Sequence, residues 1–227
     1  MSPHSNEESR GRRAFLGQLA VAGAAGLALA NGGLDGVSSL DAATLTNPPA
    51  DPEHWLDKLT AKHKQLVDAY EPNDGWPLGF THTFLATATP AGGTHGSVLV
   101  LRHLAMPIAL NDAMWAKYKI GEAFKVTDPA TKNTAVKNPF LKPPAGALLA
   151  DDMSIDRLLA RGVFVGACNV ALNVLSGMLA GNAGVTKDVA AKEWMAAVLP
   201  GITVIPSGTW GVNRAQEKGC TYCTGGG

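Results

Sequence analysis

The chain has 227 residues, 46% of them hydrophobic and 17% charged, with 19 basic and 19 acidic side chains. That balance lacks the cationic footprint of a nucleic-acid or anionic-membrane binder, so no nucleic-acid partner is expected. Three cysteines, Cys168, Cys220 and Cys223, all lie in the last third, and an odd number cannot all pair within one chain.

Residues 1–30 are set apart from the rest. Arg12-Arg13-Ala14-Phe15-Leu16-Gly17, followed at once by an Ala/Gly/Leu stretch to Ala30, resembles a twin-arginine export signal, and Ala28-Leu29-Ala30 offers a small-x-small cleavage site. The stretch is diluted by glycine and Gln18, against roughly 20 strongly apolar residues in a typical membrane span. Export is therefore expected rather than anchoring, with no stable membrane insertion after cleavage. The resemblance implies a periplasmic or exported protein that crosses the membrane already folded. Residues 1–30 hold three of the basic and two of the acidic side chains, leaving 16 against 17 and a near-neutral mature chain. Residues 31–50, with Gly32, Gly33, Gly36, Pro48 and Pro49, read as a flexible linker. Residues 51–227 suit one domain with an adequate core.

Within that domain Trp55, Leu56 and Leu59 predict an opening helix over residues 52–60, capped by Asp51. Residues 64–69 read as an edge or first strand. Pro77 starts a helix through Phe80, Phe84 and Leu85 to about Ala88. Residues 97–101 form the clearest strand, and its unbroken apolar character implies burial on both faces, as in a parallel sheet. Pro107 then predicts a helix carrying Ile108, Leu110, Met114, Trp115 and Tyr118, ended by Gly121. Residues 122–150, with four prolines, form a long irregular excursion of the kind used for a partner contact or a lid. Ser154 caps a helix to Arg161, and the apolar run 163–167 leads as a strand to Cys168 and an amphipathic helix to Leu179. A helix over 188–198, a strand over 201–206, a short helix through Gln216 and the tail Gly219-Cys220-Thr221-Tyr222-Cys223 complete the domain. Strands alternating with helices predict a three-layer α/β fold, with a mainly parallel sheet of about five strands flanked by helices.

Ligands gather at the carboxyl ends of strands in such sheets. Arg102 and His103, Cys168 and Asn169, and Ser207-Gly208 end three of them, so parallel strands would place these groups on one edge. Cys168 falls where a strand hands over to a helix N-terminus, whose N–H groups and dipole favour a thiolate. No Gly-rich phosphate fingerprint follows any strand, which speaks against a dinucleotide cofactor. Cys220 and Cys223 have the C-x-x-C spacing of redox and metal sites, but the second pair or the Cys/His couple of a structural zinc site is missing. Residues three apart in a regular strand point to opposite faces, so the two could pair only if the tail turns. His54, His63, His82 and His95 form no metal-binding pattern. Trp76, Trp115, Trp194 and Trp210 read as core or subunit interface.

Three stretches taken together resemble the DsrE/DsrF-like sulfur-relay family: residues 98–103, residues 161–169, and residues 202–208 with 215–222. The likeness spans most of residues 64–223. It implies a small α/β protein assembled as a homotrimer or a multiple of it, in which a cysteine after the middle strand accepts sulfane sulfur as a persulfide and passes it to a thiol-bearing partner. Cys168 matches that position, and Asn169, Arg102 and His103 would shape its surroundings. The twin-arginine segment, the 122–150 excursion and the terminal Cys-Thr-Tyr-Cys depart from the cytoplasmic relay members and point to an exported branch. The expected function is thus a sulfur carrier or thiol-exchange protein using Cys168, with Cys220 and Cys223 as secondary redox thiols. The alternatives are a non-enzymatic oligomeric binding module of the same fold and a thiol-based metal-binding protein that gathers the three cysteines with His103. No cofactor is otherwise indicated.

Overall fold

The computed structural model describes residues 52–226. The signal at 1–30, the linker at 31–50 and the Asp51 cap lie outside the described residues. Five strands, β1 (His63–Ala69), β2 (His95–Leu101), β3 (Phe164–Cys168), β4 (Ile202–Ile205) and β5 (Thr221–Thr224), form one sheet in the order β4-β3-β2-β1-β5. Every neighbouring pair is parallel. The helices are α1 (Trp76–Ala88), α2 (Asp112–Lys117), α3 (Ile120–Ala123), α4 (Ile155–Ala160), α5 (Asn169–Leu179), α6 (Lys187–Ala196) and α7 (Gly208–Glu217). None of them is long and apolar enough to cross a membrane.

The α/β architecture read from the alternating pattern is what the chain adopts. Side chains alternate across each strand, and in parallel register they sort into two faces. Val67, Leu99, Leu101, Val165 and Ala167 join the larger core, which α1, α4, α5 and α6 cover. Leu66, Val98, Val100 and Ile205 face a smaller core with Leu56, Leu59, Ala215 and Cys220. Val98 to Leu101 are all fully buried, each side chain contributing roughly 1.5–3 kcal/mol of burial. The step from β1 to β4 moves one strand at a time with its helices on the large-core face. From β4 the chain crosses back over the whole sheet through α7 on the other face to reach β5. Reversing direction while keeping the right-handed crossover requires that change of face.

Four local expectations are corrected. Residues 52–60 hold only a 3-10 turn, Pro52–His54, followed by hydrogen-bonded turns, because Leu56 and Leu59 have to reach the sheet and not a helical stripe. β1 is the first strand but not an edge, since β5 pairs on its far side. Pro107 lies inside a 3-10 helix, His103–Ala109, and the next helix begins at Asp112, where Asn111 accepts the Met114 N–H. Gly121 does not end a helix but sits within α3, pressed so close to the Ala135 carbonyl that a Cβ would strike it.

Beyond the last residues of α3, the excursion at 122–150 is irregular apart from a bridge between Thr127 and Thr134. Asn138 pins it to the domain. Its buried amide donates to the carbonyls of Ile108 and Leu110 at 2.9 and 2.7 Å, and its oxygen accepts from the Phe140 N–H. Phe140 is almost wholly buried and lies 6.4 Å from the Trp115 ring. Ser154 stands at the α4 N-cap, yet its hydroxyl bonds the Asp156 carboxylate at 2.6 Å instead of a helix N–H. Trp115 and Trp194 are core residues, whereas Trp76 is half exposed.

Candidate functional site at the carboxyl edge of the sheet

The two consecutive strand ends at β3 and β4 send the chain to opposite faces: β3 into α5 over the large core, β4 into α7 over the small one. Diverging connections of this kind open the crevice where parallel α/β sheets bind ligands. Cys168-Asn169 and Ser207-Gly208 stand at these two strand ends.

Cys168 is the N-cap of α5, and its sulfur accepts the Ala171 N–H at 3.3 Å. A sulfur at that place faces the positive end of the helix dipole. It is also only 5% exposed and belongs to the large core with Ala171 and Leu172. Asn169 is buried, and its side-chain oxygen accepts from the Asn173 amide at 2.9 Å. Ser207 caps α7 by accepting the Trp210 N–H at 3.1 Å.

Arg102 and His103 reach the same edge but turn toward β1. Arg102 donates through Nε and Nη2 to both oxygens of Asp68, at 2.6 and 2.9 Å. Its guanidinium also lies 4.8 Å from the centre of the Tyr70 ring. Tyr222 of β5 completes the cluster by donating its hydroxyl to Asp68 at 3.0 Å. His103, in the left-handed region at φ 47°, stacks on Tyr70 with ring centres 4.0 Å apart and planes within 9°. α7 begins directly on the Arg102 stem, and any side chain at Gly208 would collide with it. Neither Arg102 nor His103 bonds to Cys168, so the four expected site residues form two groups on one edge: Cys168 with Asn169, and Arg102 with His103.

The charges in the second group have identifiable causes. The hydrogen bond to Asp68 raises the Arg102 guanidinium further above its usual range, against its own partial burial. Partial burial of the His103 ring against Tyr70, with the Arg102 charge beside it, holds its imidazole below the usual value despite Glu71. Burial and the bond to Asp68 push the Tyr222 phenol up.

The remaining thiols do not converge with Cys168. Cys220 packs in the small core and Cys223 against the large one, so the sheet itself stands between them. Cys168 and Cys223 lie three strands apart and three residues out of register, so well over about 14 Å separates them. All three are free, and burial raises the thiols of Cys220 and Cys223. The tail does not turn as a Cys220–Cys223 pair would require, because residues 221–224 are drawn into β5. Among the described residues no group of three or more His, Cys, Asp or Glu is placed to hold a metal ion, and the gathering of the cysteines around His103 does not occur.

No family model, curated protein or solved structure matches this chain. The site therefore rests on its own geometry. Asp68, Tyr70 and Tyr222 were not among the expected site residues. The signal for the first was present: a carboxylate within the apolar run Leu66-Val67-Asp68-Ala69 demands a cation or a strong donor at that level of the sheet.

Proposed function

We propose that the protein is a sulfur-carrier or thiol-exchange protein of the DsrE/DsrF-like kind, with Cys168 as the acceptor. The reading includes export through the twin-arginine route, assembly as a homotrimer or a multiple of it, and a thiol-bearing partner. The observation that carries it is the Cys168 sulfur at the α5 N-cap, accepting the Ala171 N–H. In the transfer the Cys168 thiolate attacks the outer sulfur of a donor persulfide, a new S–S bond forms, and the donor S–S bond breaks to release the donor thiolate. A partner thiolate then takes the same sulfur and Cys168 leaves as thiolate, so the two steps involve no net oxidation. With the sulfur 5% exposed, the donor gains access through local opening at the start of α5, a low-cost motion at the end of an element.

Persulfide-selective labelling of the purified protein after incubation with a small-molecule persulfide tests this. Labelling that disappears in Cys168→Ser and persists in Cys223→Ser supports the carrier reading; equal labelling in parent and Cys168→Ser removes it. The burial of Cys168 favours a second reading, an oligomeric binding module without thiol chemistry. Under that reading Cys168 resists alkylation under native conditions at every reagent concentration.

A further inference from the structure

The amino edge of the sheet, opposite the edge that carries Cys168, holds a cleft of about 290 Å³ lined by Leu85, Gly93, His95 and Arg161. β1 and β2 open on His63 and His95 in register, which sends both side chains to one face. Their rings stack 5.0 Å apart, and the Phe84 ring meets His95 edge-on at 6.0 Å. Across the cleft Arg161, one residue beyond α4, contacts the Nδ1 of His82 at 3.0 Å. A guanidinium can only donate, so the His82 Nδ1 is the acceptor and its ring proton sits on Nε2. One of five guanidinium N–H groups is used there, and among the described residues no carboxylate pairs with Arg161. No Asp or Glu lines the cleft. By contrast, the guanidiniums of Arg102 and Arg214 are each held by carboxylates.

A solvated cavity walled by a cation with spare donors and by imidazole, and lacking a built-in anion, is complementary to an external one. We propose that this cleft binds a tetrahedral oxyanion of the phosphate or sulfate class between the Arg161 guanidinium and the His95 imidazole. His82 holds the guanidinium in place, and His63 supports the His95 ring from behind. The site is separate from the thiol chemistry and does not depend on it.

Titration calorimetry of the full chain with inorganic phosphate and with phenyl phosphate, at fixed ionic strength against chloride, tests the proposal. Saturable binding is expected, weakened at least about tenfold in Arg161→Gln, the loss of one charge-assisted interaction. His95→Gln weakens it as well. Arg157→Gln, which removes the same charge from an exposed position on α4, leaves affinity unchanged. Tighter binding of phenyl phosphate assigns the cleft to a phosphate carried on a larger molecule, and equal affinity assigns it to the free ion. No saturable binding, or equal affinity in parent and Arg161→Gln, overturns the proposal.

Discussion

Arg102 and Asp68 face each other across the ends of two neighbouring strands, joined by a pair of hydrogen bonds to both carboxylate oxygens. Asp68 is 5% exposed, so removing its cation strands a buried charge. Arg102→Met is expected to cost roughly 3 kcal/mol, near the low end for such losses because the guanidinium keeps some solvent. The double variant Arg102→Met/Asp68→Leu should lose less than the sum of the single variants. Urea unfolding of the four proteins checks both expectations.

Cys168 has a structural duty as well as a proposed chemical one. Cys168→Ala removes the acceptor for the Ala171 N–H and should cost about 1 kcal/mol of stability. Cys168→Ser keeps an acceptor in place and should unfold within about 1 kcal/mol of the parent. Thermal denaturation of both establishes that lost labelling reflects lost sulfur and not lost fold.

Gly121→Ala reverses the usual sign for a helix interior. Alanine ordinarily gains about 1 kcal/mol over glycine there, but in α3 the new methyl strikes the Ala135 carbonyl of the excursion. A net loss of roughly 1–3 kcal/mol is expected from the overpacking, together with faster proteolytic cleavage within residues 122–150. Limited proteolysis with mass mapping reads both the rate and the place.

The thiols of Cys220 and Cys223 titrate above the ordinary range because burial disfavours the thiolate. Their neutral forms are favoured in the folded protein, so this contribution to stability is complete below the unfolded-state pKa and is lost as pH rises through the folded one. Iodoacetamide should modify Cys223 more slowly than a free thiol at neutral pH, and Cys220 more slowly still, with both rates still climbing past pH 9. Peptide mass spectrometry after timed quenching follows each site separately.

His103 behaves in the opposite sense. Its imidazole is held below the usual value in the folded state, so the unfolded chain takes up a proton first. Stability should fall as pH drops from the ordinary imidazole range near 6.5 toward the folded pKa. Asparagine tolerates the left-handed backbone at this position, so His103→Asn should flatten that slope without breaking the turn. Unfolding midpoints between pH 5 and 8 give the comparison.

β2 and β3 were legible in residues 97–101 and in the apolar run 163–167 because unbroken apolar runs in an α/β pattern have few other uses. The placement of Cys168 at a strand-to-helix junction followed from the same reading. Order within the sheet was not legible: nothing in residues 64–69 says that a strand formed 150 residues later will pair on their far side. The helix expected at 52–60 failed because three apolar residues at helical spacing fit an irregular strap across a sheet equally well. The Pro107 reading failed because proline at a helix start and proline within a 3-10 turn present the same local sequence. Arg102 and His103 were correctly brought to the edge, but strand periodicity carries no information about sideways reach, and so Asp68, Tyr70 and Tyr222 were missed as their partners.

The return crossing from β4 to β5 has a consequence for how the molecule is made. Four strands can assemble while synthesis is still in progress, yet the Asp68 carboxylate waits for Tyr222, which emerges only after every other strand. A chain that has formed β1 to β4 but not β5 holds a four-stranded sheet with one flank open, and Asp68 has Arg102 but not Tyr222. β5 therefore both closes the flank of the sheet beside β1 and completes the Asp68 cluster.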